Sequence, residues 1–248
     1  MRANPRLRLG ASLWLAGMAG VVVLSLTVIP QLLENAPRSV PLGVAVAASV
    51  AQSGVLLALA VWAGVAFSRP LGLGAPAIEA ALSGTGGWPA LKRQLLPAAI
   101  VGIFVGGLLA LLAHIAPSEL LALGQAIEIP VAAKLLYGGV TEEILMRWGL
   151  MTLLIWLPWR LIQKRAGLPR RSYVIGAIFA AALLFGALHL PAAAAMGASI
   201  NPPVIGYIIV GNAVPGALFG FLYWRHGLEA AILAHAIGHA VAVLAAVA

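Results

Sequence analysis

Residues 42–67 read LGVAVAASVAQSGVLLALAVWAGVAF, a run without one ionisable side chain. Roughly 18 or more apolar residues in succession are the signature of a helix that crosses a bilayer. The rest of the chain has the same character. Of its 248 residues, 62% are apolar and 9% are charged, against about 25% charged in an ordinary soluble domain. Mean hydropathy is +1.03. All seven acidic residues are Glu. Together these values exclude a soluble globular enzyme, a disordered chain and a nucleic-acid-binding domain, despite a net charge of +8. They indicate a polytopic membrane protein, with lipid as its solvent. The absence of Cys removes disulfides, thiolate metal sites and Cys nucleophiles together.

Seven stretches are long enough to cross the hydrocarbon core: 11–29, 42–67, 95–116, 130–157, 173–190, 203–223 and 228–247. Their continuous apolar character predicts helices, because barrel strands would alternate. A partial eighth helix is expected over 118–129, where Glu119 and Glu128 suit an interfacial segment. The expected fold is therefore an all-α transmembrane bundle of seven to eight spans. The first apolar run, after Arg2, Arg6 and Arg8, is too long for a cleaved leader and reads as a signal anchor.

Lys and Arg set the orientation. With the N-terminus inside, 12 of the 15 basic residues fall on the cytoplasmic side. Arg38 falls outside, while Lys134 and Arg147 lie within the fourth span. This is a strong positive-inside bias. Loop 158–172 is the most basic stretch and suits contact with anionic lipid. Loop 68–94, rich in Gly and Pro, reads as a flexible connection with one short helix. There is no internal repeat and no soluble domain. The Ala-, Gly- and Arg-rich composition looks bacterial, which implies a bacterial cytoplasmic membrane.

Ionisable groups inside spans are expensive and mark function. They cluster on three spans. The fourth contains Glu142, Glu143 and Arg147, the fifth ends at His189, and the seventh contains His235 and His239. Glu143 and Arg147 are four residues apart, so a buried ion pair is available. Glu142 then remains as the unbalanced carboxylate, suited to general acid–base work. His235 and His239 are also four apart and can face one point. A water between Glu142 and His189 could be deprotonated to attack a carbonyl, with His235 and His239 stabilising the oxyanion. The bland readings are a structural charge network, interfacial histidines, and an interhelical hydrogen-bonding pair. His114, near an outer helix end, is read as structural or interfacial.

The series Glu142-Glu143-x-x-x-Arg147, Phe185-x-x-x-His189 and His235-x-x-x-His239 resembles the motifs of the CAAX-protease and bacteriocin-processing (CPBP) family. This family includes Rce1-type prenyl-protein endopeptidases and bacterial Abi proteins. The glycine-spaced stretch from Gly216 through Arg225 and Gly227 to His235 agrees with it. The resemblance covers about residues 130–245. It implies that Glu142 activates water with help from His189, that His235 and His239 form the oxyanion site, and that Glu143, Arg147 and Phe185 give structural support. It also implies a division into N-terminal helices of unassigned role, 1–129, and a catalytic transmembrane core, 130–248. The sequence departs from the pattern at His239, where family members usually have Asn.

That departure keeps a second chemistry in play. Glu142, His189, His235 and His239 would make a zinc set of nitrogen and oxygen ligands. Against it, Ala236 stands where a zincin has Glu. The leading expectation is a metal-free glutamate endopeptidase without a cofactor, with zinc as the alternative. Its substrate would be a peptide or lipidated membrane protein. Two non-proteolytic alternatives are an immunity or scaffold protein of the same fold, and a transporter, although no repeat relates two halves. The site is expected in a cavity open to the cytoplasm, formed by spans four, five and seven. Depth poses a difficulty. At 1.5 Å per residue, His235 is about 10 Å from the inner end of its span and His189 about 24 Å.

Overall fold

The computed structural model describes residues 4–34 and 40–247. Arg2 and Arg38, used above for orientation, lie outside the described residues. The described residues form helices and no strand. In order these are α1 (Pro5–Thr27), α2 (Ile29–Glu34), α3 (Leu42–Phe67), α4 (Pro76–Ser83), α5 (Trp88–His114) and α6 (Ser118–Ala126). A composite helix α7 over 131–161 follows, then α8 (Arg171–Ala195), α9 (Pro202–His226) and α10 (Leu228–Val247).

Six helical segments are long and apolar enough to cross a membrane: Pro5–Glu34, α3, α5, α8, α9 and α10. The chain is an integral membrane protein. The expected count of seven to eight was approximate because the fourth expected span is not one regular helix. It runs as α over Val131–Ala133, π over Lys134–Glu142 and Ile144–Met151, and α again over Thr152–Leu161. A π turn bonds five residues back. Two threonine hydroxyls repeat that reach: Thr141 Oγ1 donates to the Leu136 carbonyl at 3.3 Å and Thr152 Oγ1 to the Arg147 carbonyl at 3.2 Å. π segments recur at functional sites, and this one carries Glu142.

Small residues let the helices approach. A Cβ on Gly102 would meet Ile237 at 2.7 Å, and one on Gly106 would meet Val241 at 2.5 Å, so α5 and α10 pack nearly backbone to backbone. Gly20 on α1 faces the Leu136 carbonyl in the same way. Thr141 Oγ1 also donates to the Gly17 carbonyl at 2.7 Å. Helix α1 therefore holds the first half of α7 in place. One apolar core runs through Leu13, Leu57, Trp148, Ile178, Phe219 and Leu228, joining α1, α3, α7, α8, α9 and α10.

Two expectations need correction. The fifth expected span stopped at 190, but α8 continues through Pro191 to Ala195. Proline inside a membrane helix is tolerated because neighbouring groups re-satisfy the freed carbonyl. Loop 68–94 was expected to be flexible. It is held instead: Glu229 Oε1 on α10 accepts from Ile78 N at 2.8 Å, and Glu79 Oε1 accepts from Ala75 N at 3.0 Å, across the start of α4.

Candidate active site

Helix α10 begins inside the protein. Leu228 is fully buried and its N–H donates to the Gly74 carbonyl at 3.1 Å. Its first residue is therefore roofed by the α3–α4 connection and does not mark the membrane face. Helices α7 and α8 extend further, to Leu161 and Arg171. Counted from those ends, Glu142 is 19 residues and His189 18 residues along their helices, so the two sit at similar depth. The depth difficulty was an error of reference point.

The side chains do converge. His189 Nε2 is 4.0 Å from Glu142 Oε1, with the two side chains 35% and 17% exposed. His189 Nδ1 lies 2.7 Å from the Phe185 carbonyl, four residues back on α8. A carbonyl only accepts, so Nδ1 carries a proton and donates it, and Nε2 is the ring nitrogen that faces Glu142. The Phe185 ring stands edge-on to His189 at 4.7 Å and to His235 at 6.4 Å, fixing both imidazoles. Phe185 thus touches two of the expected site histidines.

Glu143 does more than pair with Arg147. It is fully buried, and its Oε1 accepts from His235 Nδ1 at 2.8 Å. The same oxygen is 2.9 Å from Arg147 Nη1. That Arg147 nitrogen makes no aligned hydrogen bond, so the contact is ionic. Arg147 Nη2 donates to the Gly216 carbonyl at 2.8 Å, and its guanidinium lies over the rings of Phe185 and Phe219 at 5.2 and 5.5 Å. One buried network thus ties α7 to α8, α9 and α10. His235 is sandwiched between Phe219 at 4.6 Å and His239 at 4.8 Å, with both interplanar angles at 23°. Gly138 admits His239, since a Cβ there would lie 2.7 Å from its Nε2.

Helix α8 packs on the second half of α7, 144–161, and little on the first half, which packs instead on α1 and α10. Helices α7 and α8 therefore splay towards Val131 and Ala195, with Glu142 and His189 in the fork. Gly186 of α8 packs directly against the Ile209 backbone of α9.

The alternative zinc set needs Glu142, His189, His235 and His239 to converge on one metal. Among the described residues, no three His, Cys, Asp or Glu side chains are arranged to hold one. His235 Nδ1 is committed to Glu143, which leaves only its Nε2 open, and His239 stacks on the same ring. His114 is exposed and bonds its own helix at the Ala110 carbonyl, a structural placement.

Two residues with structural work at this site were not singled out from the sequence. Gly138 is one. Glu229 is the other: buried, it accepts from Gln94 Nε2 at 3.4 Å as well as from Ile78 N, and it anchors the start of α10. An acidic residue within an apolar run was the available signal for Glu229.

Comparison with known proteins agrees with the motif-bearing half of the chain. Residues 125–241 match the model of the Rce1-like family, described as type II CAAX prenyl endopeptidase Rce1-like. No curated protein and no solved structure matches the chain. The matched region, just under half of the chain, runs from α7 into α10, holds every residue of the converged cluster and supports a CPBP/Rce1-like family.

Proposed function

We propose that the chain is a metal-free intramembrane endopeptidase that hydrolyses a peptide bond of a membrane-associated or lipidated substrate. The carrying observation is the placement of Glu142 Oε1 4.0 Å from His189 Nε2, with the other ring nitrogen held by the Phe185 carbonyl. Two acceptors at that separation suit one water, which donates to each at about 2.8 Å. Glu142 takes the water's proton as its oxygen attacks the scissile carbonyl, then delivers that proton to the departing amine. His189 orients the water.

The oxyanion falls to His235 and His239. With Nδ1–H committed to Glu143, donation from His235 Nε2 requires a second ring proton, and Glu143 is the counter-charge for that imidazolium. Arg147 keeps Glu143 in position. The division of labour between the adjacent glutamates follows: Glu142 meets substrate, Glu143 meets protein. The positive-inside count supports a cytoplasmic N-terminus. The fork between α7 and α8 then faces the outer half of the bilayer. An outer-leaflet precursor peptide or membrane-protein tail fits that side. The direct test is cleavage of a peptide library by the purified protein, with and without chelator. Cleavage that survives the chelator is expected; cleavage lost with it would sink the metal-free reading.

His239 separates the chemistries further. In the metal-free site it only donates a hydrogen bond, and Asn donates with similar reach. His239→Asn should keep activity within about tenfold of wild type, or about 1.4 kcal/mol of barrier. Steady-state kinetics on the same peptide decide this. A loss above about 100-fold, with bound zinc lost alongside, would favour the metal site.

A further inference from the structure

At the end of the molecule away from the fork, a crevice of about 470 Å³ lies between the start of α1, the end of α3 and α4. Arg6 and Arg8 on α1 line it, with Arg69 from the turn after α3. Leu9, Val65 and Leu82 form its apolar wall. Ser68 and Ser83 add hydroxyls. Glu79 is the one carboxylate present, and it is engaged: Oε1 accepts from Ala75 N at 3.0 Å and Oε2 faces Arg69 Nη2 at 3.9 Å. Arg6 and Arg8 make no ion pair among the described residues.

The position is informative. Gly72, beside Arg69, lies against Leu168 of the loop after α7, so the crevice shares its end of the bundle with the most basic loop. That is the level of lipid headgroups at the cytoplasmic leaflet under the positive-inside orientation. The crevice is rigidly built, because Glu229 pins α4 to α10 through Ile78 N. Three guanidiniums against one engaged carboxylate call for an anion, and guanidinium forks match phosphate oxygens. A free phosphate would use the cations alone. The apolar wall at the head of lipid-facing helices adds a place for a hydrocarbon chain.

We propose that this crevice binds an anionic phospholipid, with its phosphate held by Arg6, Arg8 and Arg69 and an acyl chain along Leu9, Val65 and Leu82. The site is separate from the Glu142 cluster and does not rest on the proteolytic reading. The test uses the full chain in detergent, with native mass spectrometry counting retained phosphatidylglycerol against equimolar phosphatidylcholine. Wild type should retain phosphatidylglycerol selectively. Arg6→Gln/Arg8→Gln, at exposed positions, should lower that selectivity about tenfold without changing the thermal midpoint. Ser83→Phe fills the crevice with the charge unchanged and should lower it as much. Lys164→Gln/Arg165→Gln, in the basic loop, should leave it intact. Selectivity that survives Ser83→Phe, or that is lost only in the loop variant, would overturn the site in favour of diffuse charge attraction. Inorganic phosphate in about 100-fold excess should not displace the lipid; full displacement would overturn the lipid assignment in favour of a free-phosphate site.

Discussion

Glu142→Gln is expected to remove turnover, by at least about 1,000-fold, while the protein stays folded. General-base catalysis contributes about 10²–10⁴-fold in rate, and in the proposed cycle Glu142 takes the water's proton. His189 Nε2 also faces that water, with Nδ1 held to the Phe185 carbonyl at 2.7 Å, so the size of the loss in Glu142→Gln measures how far His189 can stand in as the base. The amide is isosteric, and Glu142 makes no ion pair with Arg147, so removing its charge breaks no structural contact. The thermal midpoint in detergent should therefore match wild type. Peptide cleavage is the readout, and equal activity in wild type and variant would remove the catalytic hypothesis and leave the scaffold reading.

Glu143→Gln should do the opposite. It leaves the Arg147 guanidinium buried without its carboxylate, a loss of about 3–5 kcal/mol for a broken buried pair. It also removes the partner of His235 Nδ1, so activity falls with stability. The double variant Glu143→Gln/Arg147→Met separates the two effects. Replacing both charges relieves the orphaned cation, and the thermal midpoint should recover most of its loss. Activity should not recover, because His235 still lacks the counter-charge for its second proton. Recovery of both would show that Glu143 is a structural anchor and nothing more. Loss of neither in the single variant would show that the 2.9 Å contact with Arg147 contributes little.

The sequence by itself determined the solvent of this protein. A run such as 42–67, with no charge over its length, can only be stable as a helix in lipid, because each backbone polar group must be satisfied within the segment. It also determined which residues bear chemistry, because a carboxylate or imidazole inside a span is too costly to be incidental. The pairing of Glu143 with Arg147 was legible from their four-residue spacing alone. The junction of α7 with α8, α9 and α10 was not. Periodicity reports one helix at a time, and nothing local says that α10 starts beneath the Gly74 carbonyl or that α8 runs through Pro191. The π geometry of 134–151 was equally hidden, since apolar spacing does not distinguish hydrogen bonds four residues back from those five back. Only the tertiary structure turned His235 Nδ1 to Glu143 and left Glu142 facing His189, because which of two adjacent carboxylates meets protein and which meets substrate depends on what the neighbouring helices bring to each side.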